Sequence, residues 1–159
     1  MKHADFMRRA IALAAQVPEF PFGAVIVRRA DGHCIAEGYN QSALNPTFHG
    51  EMMAIHRCAE LYRPADWSGF DLYTTAEPCP MCQSAIEWVG IGTVYYGTSM
   101  PYLREQNWWQ IDIRASEVSQ RTFFRNTRIV GGLLEAECNA LFDNAPRGAY
   151  HVKPNLSLS

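Results

Sequence analysis

Two short stretches of this chain gather residues that bind metal and move protons. The first is His49-Gly50-Glu51, and the second is Pro78-Cys79-Pro80-Met81-Cys82. Each stands where an apolar helical pattern begins. Residues three apart on a helix share a face, so Cys79 and Cys82 can offer both sulfurs to one ion. The dipole and free N–H groups of a helix N-terminus favour a thiolate there. Two thiolates and an imidazole are a set that zinc takes when its fourth position stays open for water. His56 follows His49 on the same helix, about 10 Å further along its axis, so the two cannot share an ion. Cys58 falls on the opposite side of that helix. His3, His33 and His151 lie near termini or in a turn, where a solvated histidine is the ordinary reading. The expected centre, His49 with Cys79 and Cys82, is therefore open and catalytic in type. A C-x-x-C also belongs to thiol oxidoreductases, a reading that leaves His49-Gly50-Glu51 without a role.

Glu51 decides the chemistry. Zinc bound to two thiolates acidifies water less than zinc bound to three histidines, so a carboxylate beside it must take, store and deliver the proton. On an ideal helix, residues two apart diverge by about 200°, so His49 and Glu51 converge only if His49 lies off the helix end. A helix starting after the loop that carries Pro46 gives that geometry. The plainer role for Glu51 is an acid favoured by the dipole in a first turn.

The elements that must position these residues follow from periodicity. Apolar residues from Phe6 to Ala14 predict a helix over 4–17, ended by Pro18. Phe22–Val27 and Cys34–Tyr39 flank Asp31-Gly32 and predict a hairpin. Met52, Met53, Ile55, Ala59 and Leu61 predict a helix over 50–62, stopped by Pro64. Strands are expected at Phe70–Thr75, Thr93–Tyr96 and Arg128–Val130. Helices are expected from Pro80 to Val89, closed by Gly90, and from Leu133 to Phe142. Between 98 and 127 only a helix from Ser116 is legible. Strands alternating with helices predict a three-layer α/β/α sandwich around a five-stranded mixed sheet.

The chain has 159 residues, 48% hydrophobic and 19% charged, which excludes disorder and fits one domain over 1–159. A net charge of -2 argues against a protein that lives on nucleic-acid phosphates. No apolar run approaches the ~20 residues of a membrane span, and no cleavable signal pattern opens the chain, so a cytoplasmic protein is expected. Five cysteines, an odd number, make a disulfide framework unexpected. Cys34, Cys58 and Cys138 read as small core residues. The tail after Ala149 is expected to be loosely held.

H-x-E followed by P-C-x-x-C is a known signature of zinc nucleobase deaminases. Together with Pro21-Phe22-Gly23-Ala24-Val25, Gly38-Tyr39-Asn40 and Asn45-Pro46-Thr47-Phe48, it makes residues 4–142 resemble the cytidine/deoxycytidylate deaminase superfamily. The resemblance is nearest to the branch with guanine deaminase, yeast-type cytosine deaminase and tRNA adenosine deaminase. It implies one zinc on His49, Cys79 and Cys82, with Glu51 as proton shuttle. It also implies substrate binding by the Asn40 amide, and a pocket wall from Phe22, Gly23 and Ala24. The implied reaction is hydrolytic removal of an exocyclic amine as ammonia, with Glu51 protonating the ring and then the leaving group. The Pro-Cys-Pro-Met-Cys string favours a free base such as guanine or cytosine, or its nucleoside. Tyr102, Trp108 and Trp109 lie where related deaminases cap their substrates; stacking on a base competes with packing in the core or a dimer interface. A tRNA adenosine deaminase is the alternative, carried by the C-terminal strand and helix and by Arg114, Arg121, Arg125 and Arg128. The strongly basic C-terminal helix expected there is missing. The branch further implies a homodimer.

Overall fold

The computed structural model describes residues 2–146. The elements run α1 (His3–Ala14), β1 (Gly23–Arg28), β2 (His33–Tyr39), α2 (Gly50–Leu61), β3 (Phe70–Ala76), α3 (Pro80–Val89), β4 (Thr93–Thr98), α4 (Met100–Glu105), α5 (Ala115–Gln120), β5 (Arg128–Val130) and α6 (Glu135–Asp143). The expected tail beyond Ala149 lies outside the described residues.

One five-stranded mixed sheet has the order β2-β1-β3-β4-β5. Strand β1 is antiparallel to both β2 and β3, and β3, β4 and β5 are parallel. Asp31-Gly32 turns the hairpin as expected, with Gly32 at φ 67°.

Alternation along the strands divides the core in two. Val25 and Val27 of β1 and Tyr73 of β3 meet Phe6, Met7, Ala10 and Leu13 of α1, together with Cys138 of α6. Ala24, Ile26, Leu72 and Val94 point the other way, onto Ala54, Ile55 and Cys58 of α2 and Ile86 of α3. These are the three layers of the expected sandwich. A third cluster, Ala76, Leu103, Trp108 and Phe142 with Phe20 and Phe22, closes one end of the sheet.

The helix expected over 50–62 is α2, and one cysteine reading needs correcting. The inner face of α2 is Glu51, Ala54, Ile55 and Cys58, while Met52 and Met53 are half-buried and Ala59 and Leu61 exposed. The small residues Ala54 and Cys58 let α2 lie close on the sheet. Cys34 sits half-buried on the edge strand β2, unlike the buried Cys58 and Cys138. Helix α4 was not legible, because Met100 and Leu103 are its only buried residues and six residues carry too little periodicity.

Candidate metal centre and substrate cleft

His49 and Cys79 occupy the same position in two different helices. Each is the extended N-cap residue, His49 at φ -71° and ψ 158° before α2, Cys79 at φ -64° and ψ 167° before α3. Each carbonyl accepts the first intrahelical bond, from Met53 N at 3.0 Å and from Gln83 N at 2.8 Å. Pro80 suits the first helical position, where no amide proton is needed. Both helices begin beyond the C-terminal end of the central strand β3, and their first turns face each other. Because His49 is off the helix, its ring and the Glu51 carboxylate point into the same space.

The Nδ1 atom of His49 lies 3.5 Å from Cys79 Sγ and 3.6 Å from Cys82 Sγ. These three ligand atoms lie within 4.8 Å of one another. Zinc bonds of about 2.3 Å to sulfur and 2.0–2.1 Å to nitrogen, at a tetrahedral angle, require about 3.6 Å between nitrogen and sulfur. The residues fit one zinc ion. Among the described residues no other His, Cys, Asp or Glu joins this group.

Glu51 is buried behind the ligands. The Thr74 hydroxyl of β3 donates to its Oε1 at 3.2 Å, and its Oε2 lies 3.6 Å from Cys82 Sγ. Burial, and then the nearby Cys79, raise the Glu51 carboxyl above its ordinary range. The Cys82 thiol, with His49, holds Cys79 down at about 4. Cys82 is pushed well up by Cys79, burial and Glu51. Three acidic groups thus crowd one small volume, an arrangement that a divalent cation relieves.

Above this floor is a cleft of about 540 Å³. Phe20, Phe22, Trp108 and Trp109 form its apolar wall; Asn40, Ser42, Glu77 and Gln110 supply polar atoms. Trp108 is buried, packed edge-on against Phe22 and Phe142 with ring centroids 5.8 and 5.4 Å apart. It is a core residue that also lines the cleft. Trp109 is half exposed at the rim. Tyr102 does not line the cleft, and its hydroxyl donates to Asp143 at 2.7 Å.

Asn40 lines the cleft with one end of its amide committed. Ser42 N at 3.0 Å and Ser42 Oγ at 2.7 Å both donate to Oδ1. An amide N–H must face an acceptor, so the Nδ2 donor is the end left for the cleft.

Of the wall expected from Phe22, Gly23 and Ala24, only Phe22 lines the cleft. Gly23 turns to the opposite face, where an added Cβ would stand 2.3 Å from the Ala10 carbonyl of α1. Ala24 is in the core beneath α2. Strand alternation, unavoidable once Gly23 enters β1, explains the correction. Sequence reasoning missed Thr74, Ser42, Glu77, Phe20 and Gln110. A threonine in an apolar strand and an acid just before the C-x-x-C were the available signals for Thr74 and Glu77; the others sit in loops without one.

Residues 1–98 match the model of the cytidine and deoxycytidylate deaminase zinc-binding region. The chain is 40% identical over 102 residues to guanine deaminase of Bacillus subtilis, covering 60% of this chain and 64% of that one. It is 36% identical over 83 residues to a tRNA-specific adenosine deaminase of Rickettsia bellii, covering 51% of this chain and 57% of that one. Both matches span less than two thirds of the relative's length. The solved guanine deaminase of Nitrosomonas europaea superposes with a TM-score of 0.78 at 22% identity, over 91% of this chain and 84% of that one. That likeness is one of fold.

Proposed function

Since this chain belongs to the cytidine and deoxycytidylate deaminase zinc-binding family, we propose that it hydrolytically removes an exocyclic amine from a free nucleobase, guanine first and cytosine next. The observation that carries the reading is Glu51, buried beside a His/Cys/Cys set at the floor of an aromatic cleft. Zinc held by His49, Cys79 and Cys82 supplies Lewis-acid activation of water.

The protein's own residues do the rest. Oε1 of Glu51 is engaged by Thr74, so Oε2, on the side of the ligands, is the atom that carries the proton. Burial favours its protonated form, which suits an acid that must hold a proton and return it to a ring nitrogen and then to the departing amine. Asn40 donates through Nδ2, so it orients a ring that presents an acceptor. Phe22, Trp108 and Trp109 suit a planar ring and limit water in the cleft.

The preference for an uncharged base rests on the lining. No lysine or arginine lines the cleft among the described residues, and its charged groups beside the ligands are Glu51 and Glu77. The similarity to guanine deaminase points the same way. A second reading, adenosine deamination in tRNA, is favoured by the similarity to the tRNA-specific relative. Ammonia release from guanine, cytosine, adenine, their nucleosides and tRNA separates the two. Turnover of guanine with little dependence on salt is expected; turnover of tRNA alone, falling steeply with salt, would replace the first reading with the second.

A homodimer working in the cytoplasm completes the proposal. Trp88 and Phe124 pair with ring centroids 4.7 Å apart on the surface, beside the exposed Phe123, and give association an apolar patch to bury. No helix among the described residues is long and apolar enough to cross a membrane.

A further inference from the structure

Glu77 takes no part in the chemistry above, although it lines the cleft and directly precedes Pro78-Cys79. Its side chain is buried, and both oxygens are claimed by the chain beyond β4. Met100 N, at the start of α4, donates to Oε2 at 2.8 Å. Ala115 N, at the start of α5, donates to Oε1 at 3.1 Å. Arg114 Nε reaches Oε1 at 2.8 Å and Oε2 at 3.1 Å. The backbone joins in, with Glu77 N donating to Thr98 O at 2.8 Å.

Residues 106–114, between α4 and α5, carry Trp108, Trp109 and Gln110 to the cleft. This segment has no regular structure, and Asn107 takes a left-handed φ of 62°. Its flanking helices are only six residues each. One carboxylate, two residues from a metal ligand, therefore ties both ends of a cleft wall to the strand that delivers Cys79. Charge-assisted bonds to a buried carboxylate are among the stronger tethers available to a loop.

We infer that Glu77 is a positioning residue that fixes the Trp108–Trp109–Gln110 wall against the metal-ligand set and thereby sets the affinity for a planar substrate. The inference rests on the deaminase reading for its effect on substrate, and on geometry alone for its effect on the wall. Glu77 acts on binding, whereas Glu51 acts on proton transfer.

Glu77→Gln keeps the shape but removes the charge and one acceptor. In the zinc-loaded full chain, it should retain its metal and raise KM for guanine, or whichever base the wild type turns over, at least tenfold. Its kcat should stay within threefold. Hydrogen exchange should quicken across residues 99–116 and stay at the wild-type rate across 80–90. An unchanged KM, a fall in kcat alone, or faster exchange spread equally over 80–90 overturns the inference. If Glu77→Gln does not fold or loses zinc, Arg114→Met removes the ion pair and leaves both amide bonds; it should show the same pattern in smaller degree, and no pattern overturns the inference. A wild type that deaminates no free base defeats the free-base reading, while the exchange comparison still tests the tether.

Discussion

A carboxyl group held behind two sulfurs and an imidazole exchanges protons with little besides what occupies the cleft. Glu51 is in that position, with Thr74 fixing one oxygen. Glu51→Gln should keep one zinc per chain and lower kcat by about 10²–10⁴, the usual contribution of a placed acid–base group. Metal analysis beside ammonia release checks both halves. His49→Ala and Cys79→Ser should instead lose the metal, because either change leaves only two ligands for an ion that wants at least three from protein. Zinc at full stoichiometry in both variants would refute the ligand assignment. Under the proposed function Asn40→Ala should raise KM while sparing zinc, since Ser42 occupies its Oδ1 and leaves the Nδ2 donor for the cleft.

Helices α2 and α3 deliver the chemistry by their first turns, so whatever seats them on the sheet controls the centre. Gly38 of β2 shows how closely α2 lies. A Cβ there would stand 2.3 Å from the Gly50 carbonyl and 2.4 Å from Ala54 N, both backbone atoms of α2. Neither can rotate away, so Gly38→Ala must push the helix off the sheet. Overpacking of this kind costs roughly 1–3 kcal/mol. The expected result is a lower urea midpoint together with faster loss of zinc to a chelator, because His49 and Glu51 move with the helix. A drop in midpoint without any change in zinc retention would show that the centre tolerates the shift. Gly97 plays the matching part on the other face, where a Cβ would meet Cys138 Sγ of α6 at 2.2 Å.

Across the whole molecule, the two faces of the sheet each bury a thiol, Cys58 under α2 and Cys138 under α6. Burial pushes Cys58 up to about 11 and Cys138 up to about 12, the latter with a further push from Glu137. An unfolded thiol ionises at about 8.5. With the folded values raised, the native chain holds protons that the unfolded chain gives up. This contribution to stability is complete below the unfolded value and is lost as pH rises towards the folded ones. Urea midpoints should therefore fall between pH 8 and about pH 10.5, and Cys138→Ala should show a shallower fall. Equal slopes in the two proteins would mean that other groups govern alkaline unfolding.

The sequence by itself determined the alternation of elements, the hairpin at Asp31-Gly32 and the candidate ligand set, because periodicity, turn chemistry and donor type are local properties. It also required His49 to stand off its helix, from nothing more than angular spacing. Only the tertiary structure decided that Glu77 bonds to Met100, Arg114 and Ala115 at the two ends of the segment carrying Trp108 and Trp109, and that Gly23 and Ala24 turn away from the cleft. Each of these depends on a partner far along the chain or on which face of a strand meets which helix. Packing sets such relations, and no local pattern encodes them.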